Sequence, residues 1–494
     1  MNATLSCPGA GRQAVPAGAG DAGRALAGFR AELYRCLTRR GDALFALADA
    51  VLCEGRLVTD LARLSLVPEF GRGHGALYDA LNAGEVQVAR LRTALAGLPL
   101  PAWGDGRIRL GVDVSAWLRP DAVTSPGRAF CHVHGRGRNA GQVVPGWPYS
   151  VVTALGPGAS SWVLPLDAVR LGPDDDDLAV TAAQLRGVAG RLAEAGRWKP
   201  GDPDIIIAMD AGYNVIRLAH LLAGLPVVLV ARVRSDRVFH SDPPPRDRPA
   251  PGHPRRHGAP VRCADPATQA SPDVAHDGAT RHGPAAATAW NRLHQALHRG
   301  CGGWEDWPQD ERFPVIRGTL IRLAAGPGGP EPMWLWASAP DAGDAEVRAL
   351  WQCYLRRFDM EHAFRFLKQQ LGWTRPLLRD PAAADRWTWL LLACYAQLGL
   401  ARTLAADMRL PWQRRRAGTG KPEVMTPGRV RAGFRHARET VGTPASVAKP
   451  AKPGPGRPAG SKNKHKAPRQ PVGKTSPKKR RPAKNPRKKT NTTG

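Results

Sequence analysis

Two short, almost wholly apolar runs constrain the fold of this chain more than any other feature. Residues 205–209 read Ile-Ile-Ile-Ala-Met, and residues 227–233 read Val-Val-Leu-Val-Ala-Arg-Val. Runs of this length are typical of strands buried on both faces, and residues 215–222 between them have a helical pattern. We therefore expect an α/β fold. Other apolar stretches predict strands at residues 108–113, 129–133, 150–155, 162–166, 315–323 and 333–337.

Apolar residues at three- and four-residue spacing predict helices before, between and after these strands. The first such region begins near residue 26 with Phe29, Leu33 and Leu37, and continues to residue 98. Within it, residues 57–66 and 75–81 fit either a helix-turn-helix or plain helical packing. Further helices are predicted at residues 174–195, 345–371 and 383–408. The first of these opens with four aspartates, which we interpret as an N-terminal cap rather than a metal site.

The positive charge of the chain is concentrated at its end. The 494 residues include 71 Lys+Arg and 42 Asp+Glu, which gives a formal net charge of +29. No acidic residue follows Glu439, and the 16 Lys+Arg beyond it contribute +16 of that total. Because a Lys/Pro-rich segment cannot bury a core, we expect residues 442–494 to form a disordered tail that binds DNA electrostatically.

Part of the tail carries a basic motif. Residues 454–462 contain Gly-Arg-Pro with basic neighbours and resemble the core of an AT-hook. In such a motif an extended Arg-Pro segment lies in a narrow minor groove while nearby lysines contact phosphates. Arg457, Lys462 and Lys464 are therefore candidate minor-groove and phosphate ligands. Attraction to DNA without sequence preference explains the same residues equally well.

Composition excludes several classes of protein. The length and the 43% hydrophobic content exclude a small disulfide module and a wholly disordered chain. The eight cysteines include no Cys-x-x-Cys pair, which argues against a structural zinc site. No apolar run reaches the roughly 18 residues of a membrane-spanning helix, and no signal-peptide pattern is recognisable. We expect a cytoplasmic protein without a membrane partner.

Three acidic residues stand where metal chemistry would need them. Asp113 ends a predicted strand, Asp210 ends the apolar run 205–209, and Glu361 lies in the long predicted helix. A carboxylate that ends an otherwise apolar strand is costly to bury without a partner or a metal. Two such residues on neighbouring strands, with a third on a covering helix, would form a carboxylate cage for two divalent ions.

The helix around Glu361 also carries a phenol and two cations. Tyr354, Arg357 and Lys368 stand at offsets of −7, −4 and +7 from Glu361, and at about 100° per residue all four project from one face. Arginine grips phosphate oxygens as a fork and lysine supplies a point charge, so this face suits a polyanion. The alternative is an i, i+4 Arg–Glu surface pair in which Tyr354 and Lys368 are incidental.

These residues resemble those of a known family. The pattern Tyr-x2-Arg-x3-Glu-x6-Lys in residues 354–368 resembles the YREK signature of bacterial insertion-sequence transposases with a DDE catalytic triad. Residues 210–213, Asp-Ala-Gly-Tyr, resemble the block around that family's second aspartate, and residues 111–117 resemble the block around its first. The order of the acids and the large interruption between the second and the third also match. The resemblance covers about residues 107–408.

The resemblance implies an RNase H-like fold, in which a mixed sheet is flanked by helices and a β-rich insertion precedes the last catalytic helix. It divides the chain into a catalytic core, begun by residues 105–234 and completed by the helices of residues 342–410, and an insertion domain, residues 235–341. Outside this core we expect a disordered N-terminus at residues 1–25, a helical candidate DNA-binding domain at residues 26–100, and the disordered tail at residues 442–494.

The resemblance also implies a reaction. The three carboxylates would be the catalytic groups and would hold two Mg²⁺ ions, for which Mn²⁺ can substitute. Tyr354, Arg357 and Lys368 would hold phosphates near the cleaved end. The protein would cut double-stranded DNA at the terminal inverted repeats of an insertion sequence and join the ends to target DNA by a cut-and-paste route. A homodimer working on two DNA ends, associated with the nucleoid, is the expected assembly.

Members of this family can flip a base out of the DNA and stack it on a tryptophan of the insertion. Trp334 and Trp336 are candidates for this role, although strand alternation places them on one face, where either can be a core residue. Two rival functions remain open. One is an RNase H-like nuclease that cuts without strand transfer, and the other is a transposase-derived DNA-binding protein without catalytic activity.

Overall fold

The fold is known from a computed structural model, and all structural statements concern the residues that it describes. These are residues 19–133, 141–158, 161–245, 253, 255–280, 283–299, 303–305, 307–326, 331–410, 412, 425–448, 458, 460–461 and 466–474. Within them, no helix combines the length and the apolar character needed to cross a membrane. The candidate tail ligands Arg457, Lys462 and Lys464 lie outside the described residues.

Ten strands form one mixed sheet in the described part of the chain. In chain order the strands are β1 (Leu37–Arg39), β2 (Glu85–Val86), β3 (Arg109–Leu118), β4 (Ala129–Val133), β5 (Gln142–Leu155), β6 (Val163–Arg170), β7 (Ile205–Met209), β8 (Val227–Val233), β9 (Val238–His240), β10 (Pro260–Arg262), β11 (Val274–Thr280), β12 (Gly283–Leu293), β13 (Gly318–Ala325) and β14 (Met333–Ala337). The sheet order is β11-β12-β13-β14-β8-β7-β3-β5-β4, and β6 also pairs with β5. β1 with β2, and β9 with β10, form two small antiparallel pairs.

Helices cover both faces of this sheet. They are α1 (Ala19–Cys36), α2 (Gly41–Cys53), α3 (Leu61–Leu64), α4 (His74–Ala83), α5 (Val88–Ala96), α6 (Asp177–Glu194), α7 (Val215–Leu221), α8 (Asp344–Arg356), α9 (Phe358–Gln369), α10 (Pro381–Leu400), α11 (Pro427–Ala432) and α12 (Phe434–Val441). The Asp176 carboxylate caps α6 by accepting hydrogen bonds from the backbone N–H groups of Leu178 and Ala179. The expected N-terminal role of the aspartates is therefore confirmed for Asp176.

The centre of the sheet has the strand order of an RNase H-like core. β3, β5 and β6 are antiparallel neighbours, whereas β3, β7 and β8 run parallel. β7 and β8 are the two apolar runs of the sequence, and α7 supplies the crossover that parallel pairing requires. Successive residues of β7 alternate between two cores: Ile205 and Ile207 pack with α6 and α7, and Ile206 packs with α8 to α10. The predicted α/β class is confirmed.

The N-terminal helices share a core with the C-terminal helix α10. Arg30 and Asp49 are each 1% exposed, and the Arg30 guanidinium lies 2.8 Å from an Asp49 carboxylate oxygen and 2.8 Å from the side-chain oxygen of Gln397. Arg438 of α12 also donates a hydrogen bond to Asp49. Breaking such a buried ion pair is strongly destabilising. These contacts join residues 26–100 to the end of the fold.

Residues 57–66 and 75–81 contain α3, a single turn, and most of α4. The α4 side chains Leu77 and Leu81 are fully buried and belong to the same core as α2 and α10. Of the two interpretations offered by the sequence, this burial favours plain helical packing.

The insertion extends the main sheet. β11 to β14 pair in sequence as an antiparallel meander, and β14 pairs antiparallel with β8. The expected β-rich character is therefore present, and its strands continue the catalytic sheet by backbone hydrogen bonds. Several predicted boundaries shift. The strands predicted at residues 108–113, 150–155 and 162–166 are longer, as β3, β5 and β6. The strand predicted at residues 315–323 begins at Gly318 as β13, and the helix predicted over 383–408 ends at Leu400, followed by a 3-10 turn at Ala401–Thr403.

Candidate active site

Asp210 directly follows β7, at the carboxyl end of that strand. The prediction that Asp113 ends its strand was wrong: Asp113 lies in the middle of β3, which continues to Leu118 because it pairs with β5 as far as that residue. β3 and β7 pair in the register Gly111 to Ala208, and the same register carried two residues further places Asp113 opposite Asp210. Ligand sites in open α/β sheets lie at this edge of the strands. The Asp210 carboxylate accepts a hydrogen bond of 2.9 Å from the N–H of Gly212, which holds it at the start of the following turn.

Asp113 occupies an unfavourable electrostatic position. Its side chain is 15% exposed, and burial raises its pKa to about 6, although Arg357 opposes the change. The charges of Asp210 and Glu361 contribute to this rise, while a hydrogen bond from the N–H of Val114 opposes it. Like charges gathered in a partly buried place need a compensating cation. Strongly perturbed carboxyl groups of this kind are typical of functional sites.

Helix α9 reaches this edge because β3 presents a glycine to it. A Cβ atom on Gly111 would lie 2.5 Å from the Met360 sulfur, so any larger residue would require the Met360 side chain, or the two elements, to shift. Met360 is fully buried, and the next residue, Glu361, is 41% exposed at its side chain. The close approach of α9 to β3 thus places the third acid beside Asp113.

The single helix predicted over residues 345–371 is in fact two helices. α8 ends and α9 begins at Arg357, whose N–H is shared between the carbonyls of Cys353 and Tyr354, while the N–H of Met360 bonds to the Arg357 carbonyl. The two hydrogen bonds that span three residues, to the carbonyls of Tyr354 and Arg357, tighten the turn and interrupt the regular α-helical ladder. The prediction of one continuous helix was wrong because its periodicity runs through the junction without a break.

Arg357 lies between two of the acids. Its guanidinium is 2.7 Å from an Asp113 oxygen and 3.1 Å from a Glu361 oxygen, and its Cζ is 6.0 Å from the centre of the Tyr354 ring. Burial lowers the pKa of Arg357, but Asp113, Tyr354 and Glu361 raise it by more. The i, i+4 pair of Arg357 and Glu361, which the sequence offered as an alternative interpretation, therefore exists. Arg357 also pairs with Asp113 of β3, so it is more than a surface pair on one helix.

The other two residues of the predicted phosphate-binding face are largely buried. Tyr354 is 8% exposed. Burial lowers the pKa of Lys368, and the charges of Cys131 and Asp113 oppose this effect. The Lys368 ammonium lies 5.9 Å from the centre of the Trp373 ring. Both side chains thus belong to the surroundings of the carboxylates rather than to an open surface.

Two further residues stand close to this group, and the sequence pattern gives neither a role of its own. Tyr213 belongs to the Asp-Ala-Gly-Tyr block, and burial, Asp113 and Asp210 raise its pKa. Arg232 is an exposed residue of β8, and its charge partly offsets the rise that burial causes in the pKa of Tyr354. The sequence could have drawn attention to Arg232, because it is the one cation in the otherwise apolar run of residues 227–233.

The three carboxylates have the ligand atoms that divalent ions prefer, but their present positions do not form a metal site. Asp113, Asp210 and Glu361 offer the hard oxygen ligands that Mg²⁺ and Mn²⁺ prefer, and burial disfavours the charged form of Asp113, which raises its pKa. In the described part of the chain, however, no three His, Cys, Asp or Glu side chains are grouped so that they could hold a metal. Arg357 supplies the compensating charge in this arrangement.

The candidate base-stacking tryptophans lie in the core. Trp334 is 5% exposed and Trp336 is fully buried. Trp334 stacks on Trp290 with ring centres 5.7 Å apart, and the Trp336 indole N–H donates to the Leu293 carbonyl at 3.3 Å. The Trp336 ring lies over Gly318, where a Cβ would come within 2.3 Å of it. In this arrangement neither ring offers a face to a base.

The fold and the acidic side chains on neighbouring strands define an RNase H-like α/β protein with a candidate phosphoryl-transfer site. A family model described as DDE superfamily endonuclease matches residues 32–296, which is more than half of the chain. The chain belongs to this family of nucleic-acid-cleaving enzymes, whose members generally use divalent metals. Comparison with curated proteins finds no match. The matched residues include Asp113 and Asp210 and end before Glu361, so the third acid rests on geometry and motif.

Proposed function

We propose that this protein is a DNA transposase with the catalytic triad Asp113, Asp210 and Glu361. It cuts DNA at the terminal inverted repeats of an insertion sequence and transfers the strands into target DNA by a cut-and-paste route. The observation that carries the proposal is the pairing of the strand carboxylate Asp113 and the helix carboxylate Glu361 with Arg357, at 2.7 and 3.1 Å, while Asp210 follows the neighbouring parallel strand β7.

The three acids are proposed to hold two Mg²⁺ ions, with Mn²⁺ as a substitute. Ions in such a site activate water or a 3′-hydroxyl and stabilise the leaving oxygen in an in-line displacement at phosphorus. Arg357 must give up at least one of its carboxylate partners before Asp113 and Glu361 can share an ion. The same guanidinium is then available to grip phosphate oxygens as a fork.

Tyr354 and Lys368 are proposed to position the phosphates at the cleaved end together with Arg357. Because both side chains are largely buried near the carboxylates, they would meet only a phosphate that enters the site. Arg232, exposed at the end of β8, is a candidate for an additional phosphate contact. Low dielectric surroundings strengthen such charge-assisted hydrogen bonds.

The experiment is a cleavage and joining assay with linear DNA that carries the flanking inverted repeats, in Mg²⁺ or Mn²⁺. Asp113→Asn, Asp210→Asn and Glu361→Gln are each expected to lower cleavage by at least about a thousandfold, since the whole charge stabilisation of the transition state is lost. Glu346→Gln is the matched control, because Glu346 on α8 also pairs with an arginine, Arg107. Unimpaired cleavage by any triad variant would overturn the catalytic assignment.

The same assay separates the proposed transposase from its rivals. Cleavage without joined products would indicate a nuclease that does not transfer strands. DNA binding without cleavage by the wild type would indicate a DNA-binding protein derived from such an enzyme. A homodimer that synapses two DNA ends, located with the nucleoid, belongs to the proposal. It is tested by measuring the mass of the complex that forms with inverted-repeat DNA.

A further inference from the structure

The junction between α8 and α9 carries an ion pair to which the proposed reaction gives no role. Arg356, the last residue of α8, pairs with Asp359 in the first turn of α9. The two side chains are 18% and 11% exposed. Because a buried charge is costly without its partner, this pair is a fixed part of the junction rather than a mobile surface contact.

A further contact ties the pair to the central sheet. The Nε of Arg356 donates a hydrogen bond of 3.1 Å to the carbonyl of Gly156, the residue that follows β5. β5 pairs with β3 over its residues 146–154, and this pairing places Val151 opposite Asp113. Arg356 therefore joins the helix junction to the strand that lies beside the strand of Asp113.

The start of α9 depends on such contacts because its first residue cannot cap it. The N-cap residue is Arg357, and an arginine side chain offers no acceptor to the free N–H groups of a first helical turn. Asp359 places a negative charge in that turn, where the helix dipole favours it. The ion pair thus stabilises the beginning of α9 and connects it to α8.

The pair also brackets the residues that meet Asp113. Arg357 follows Arg356 directly, and Glu361 lies two residues after Asp359. The Arg357 guanidinium lies 2.7 Å from Asp113 and 3.1 Å from Glu361, and a rotation of α9 against α8 would change both distances. A misplacement of about 1 Å near a catalytic group can cost about a hundredfold in rate.

A second arginine–aspartate pair, within α8, provides a comparison. Arg348 donates to Asp344 at 2.9 Å with i, i+4 spacing, and both side chains are 52% exposed. Both residues belong to α8, so this pair does not cross the junction. Exposed pairs of this kind contribute little to stability. Arg348 is therefore the matched control for Arg356.

We propose that Arg356 and Asp359 are positioning residues, which fix α9 against α8 and β5 so that Arg357 and Glu361 meet Asp113. Both residues act through their neighbours on the helix and not on the DNA. The inference rests on the proposed function for its reaction, but the placement of the helix can be measured without any cleavage of DNA.

Two variants remove the pair in different ways. Arg356→Met leaves the Asp359 charge buried without this partner and should destabilise the protein to urea. Arg356→Met combined with Asp359→Leu removes both charges and should regain most of that stability, because apolar residues often replace a buried ion pair at little cost. Neither variant keeps the hydrogen bond to Gly156. Arg348→Met, the control, should leave both stability and cleavage unchanged.

Amide exchange at Met360 tests the placement, because its N–H bonds to the Arg357 carbonyl at the junction. In EDTA and without DNA, Met360 should exchange about tenfold faster in the double variant than in the wild type or Arg348→Met, with exchange in β7 unchanged. Equal exchange at Met360 in the double variant and the wild type would overturn the proposal. An equal acceleration in β7 would also count against it, since it would reflect a loss of global stability.

Cleavage kinetics test the consequence for catalysis. With inverted-repeat DNA in Mg²⁺, the double variant should have a kcat lower by about ten- to a hundredfold and a KM within about twofold of the wild type. A double variant that regains stability and cleaves at the wild-type rate would overturn the positioning role. A wild type that cleaves no DNA would contradict the proposed enzyme activity, and exchange at Met360 would then decide the placement by itself.

Discussion

Replacing Asp113 by asparagine is expected to abolish cleavage and yet to stabilise the metal-free protein at neutral pH. The reason is that the folded state raises the pKa of Asp113 from 3.8 to about 6. A shift of this size means that the charged carboxylate is less favourable in the folded protein by about 3 kcal/mol. Asparagine keeps the shape of the side chain and removes the charge, so at pH 8 we expect a gain of about 2–3 kcal/mol in the free energy of unfolding.

The pH dependence follows from the direction of the shift. Because the folded-state pKa of Asp113 is raised, its protonated form contributes stability that is fully present below pH 3.8 and is lost as the pH rises through about 6. The asparagine variant does not titrate at this position. The difference in stability between variant and wild type should therefore be small near about pH 4, grow between about pH 4 and 7, and remain constant above that.

The assay is urea unfolding in EDTA at several pH values, with Asp105→Asn as the control. Asp105 also pairs with an arginine, Arg109, at 2.6 Å; burial raises its pKa, but hydrogen bonds from Arg109 and from the N–H of Arg107 lower it by more. Because the folded-state pKa of Asp105 is lowered, its replacement should make the protein less stable at pH 8. An Asp113→Asn protein that is less stable than wild type at pH 8, or a stability difference that does not change with pH, would refute the reasoning.

Four other predictions test the site and the fold. Arg357→Gln should lower DNA cleavage by at least about a hundredfold while Mn²⁺ binding, measured by calorimetry, is retained or strengthened; weaker binding would contradict the view that Arg357 competes with the ions. Gly111→Ala should lower cleavage and cost about 1–3 kcal/mol in urea unfolding, and adding Met360→Ala should restore part of both. Trp336→Ala should cost about 3–5 kcal/mol, and an unchanged stability would show that the ring is not a core residue. In a chain that ends at Lys474, the slope of the logarithm of the binding constant for random duplex against the logarithm of the salt concentration should be shallower by up to about seven. An unchanged slope would exclude residues 475–494 from DNA binding.

Much of the secondary structure could be predicted because it depends on local pattern. β4, β7, β8 and β14 have the predicted residues, since a run of apolar side chains identifies a buried strand without reference to its neighbours. The junction at Arg357 could not be predicted, because the apolar spacing continues unchanged across it. The sequence left open whether Trp336 stacks on a base or lies in the core. The structure places it in the core, where the ring packs over Gly318, a residue without a side chain that is distant in sequence.

By itself, the sequence determined the α/β class, the order of the three candidate acids, and the separation of a basic tail from the rest of the chain. These properties are local, since composition and spacing within a few residues define them. Tertiary structure alone decided that Asp113 stands opposite Asp210 and that Arg357 bridges Asp113 to Glu361. Each of these contacts joins residues far apart in the chain, and its formation depends on strand register and on the close approach of packed elements, which no local pattern records.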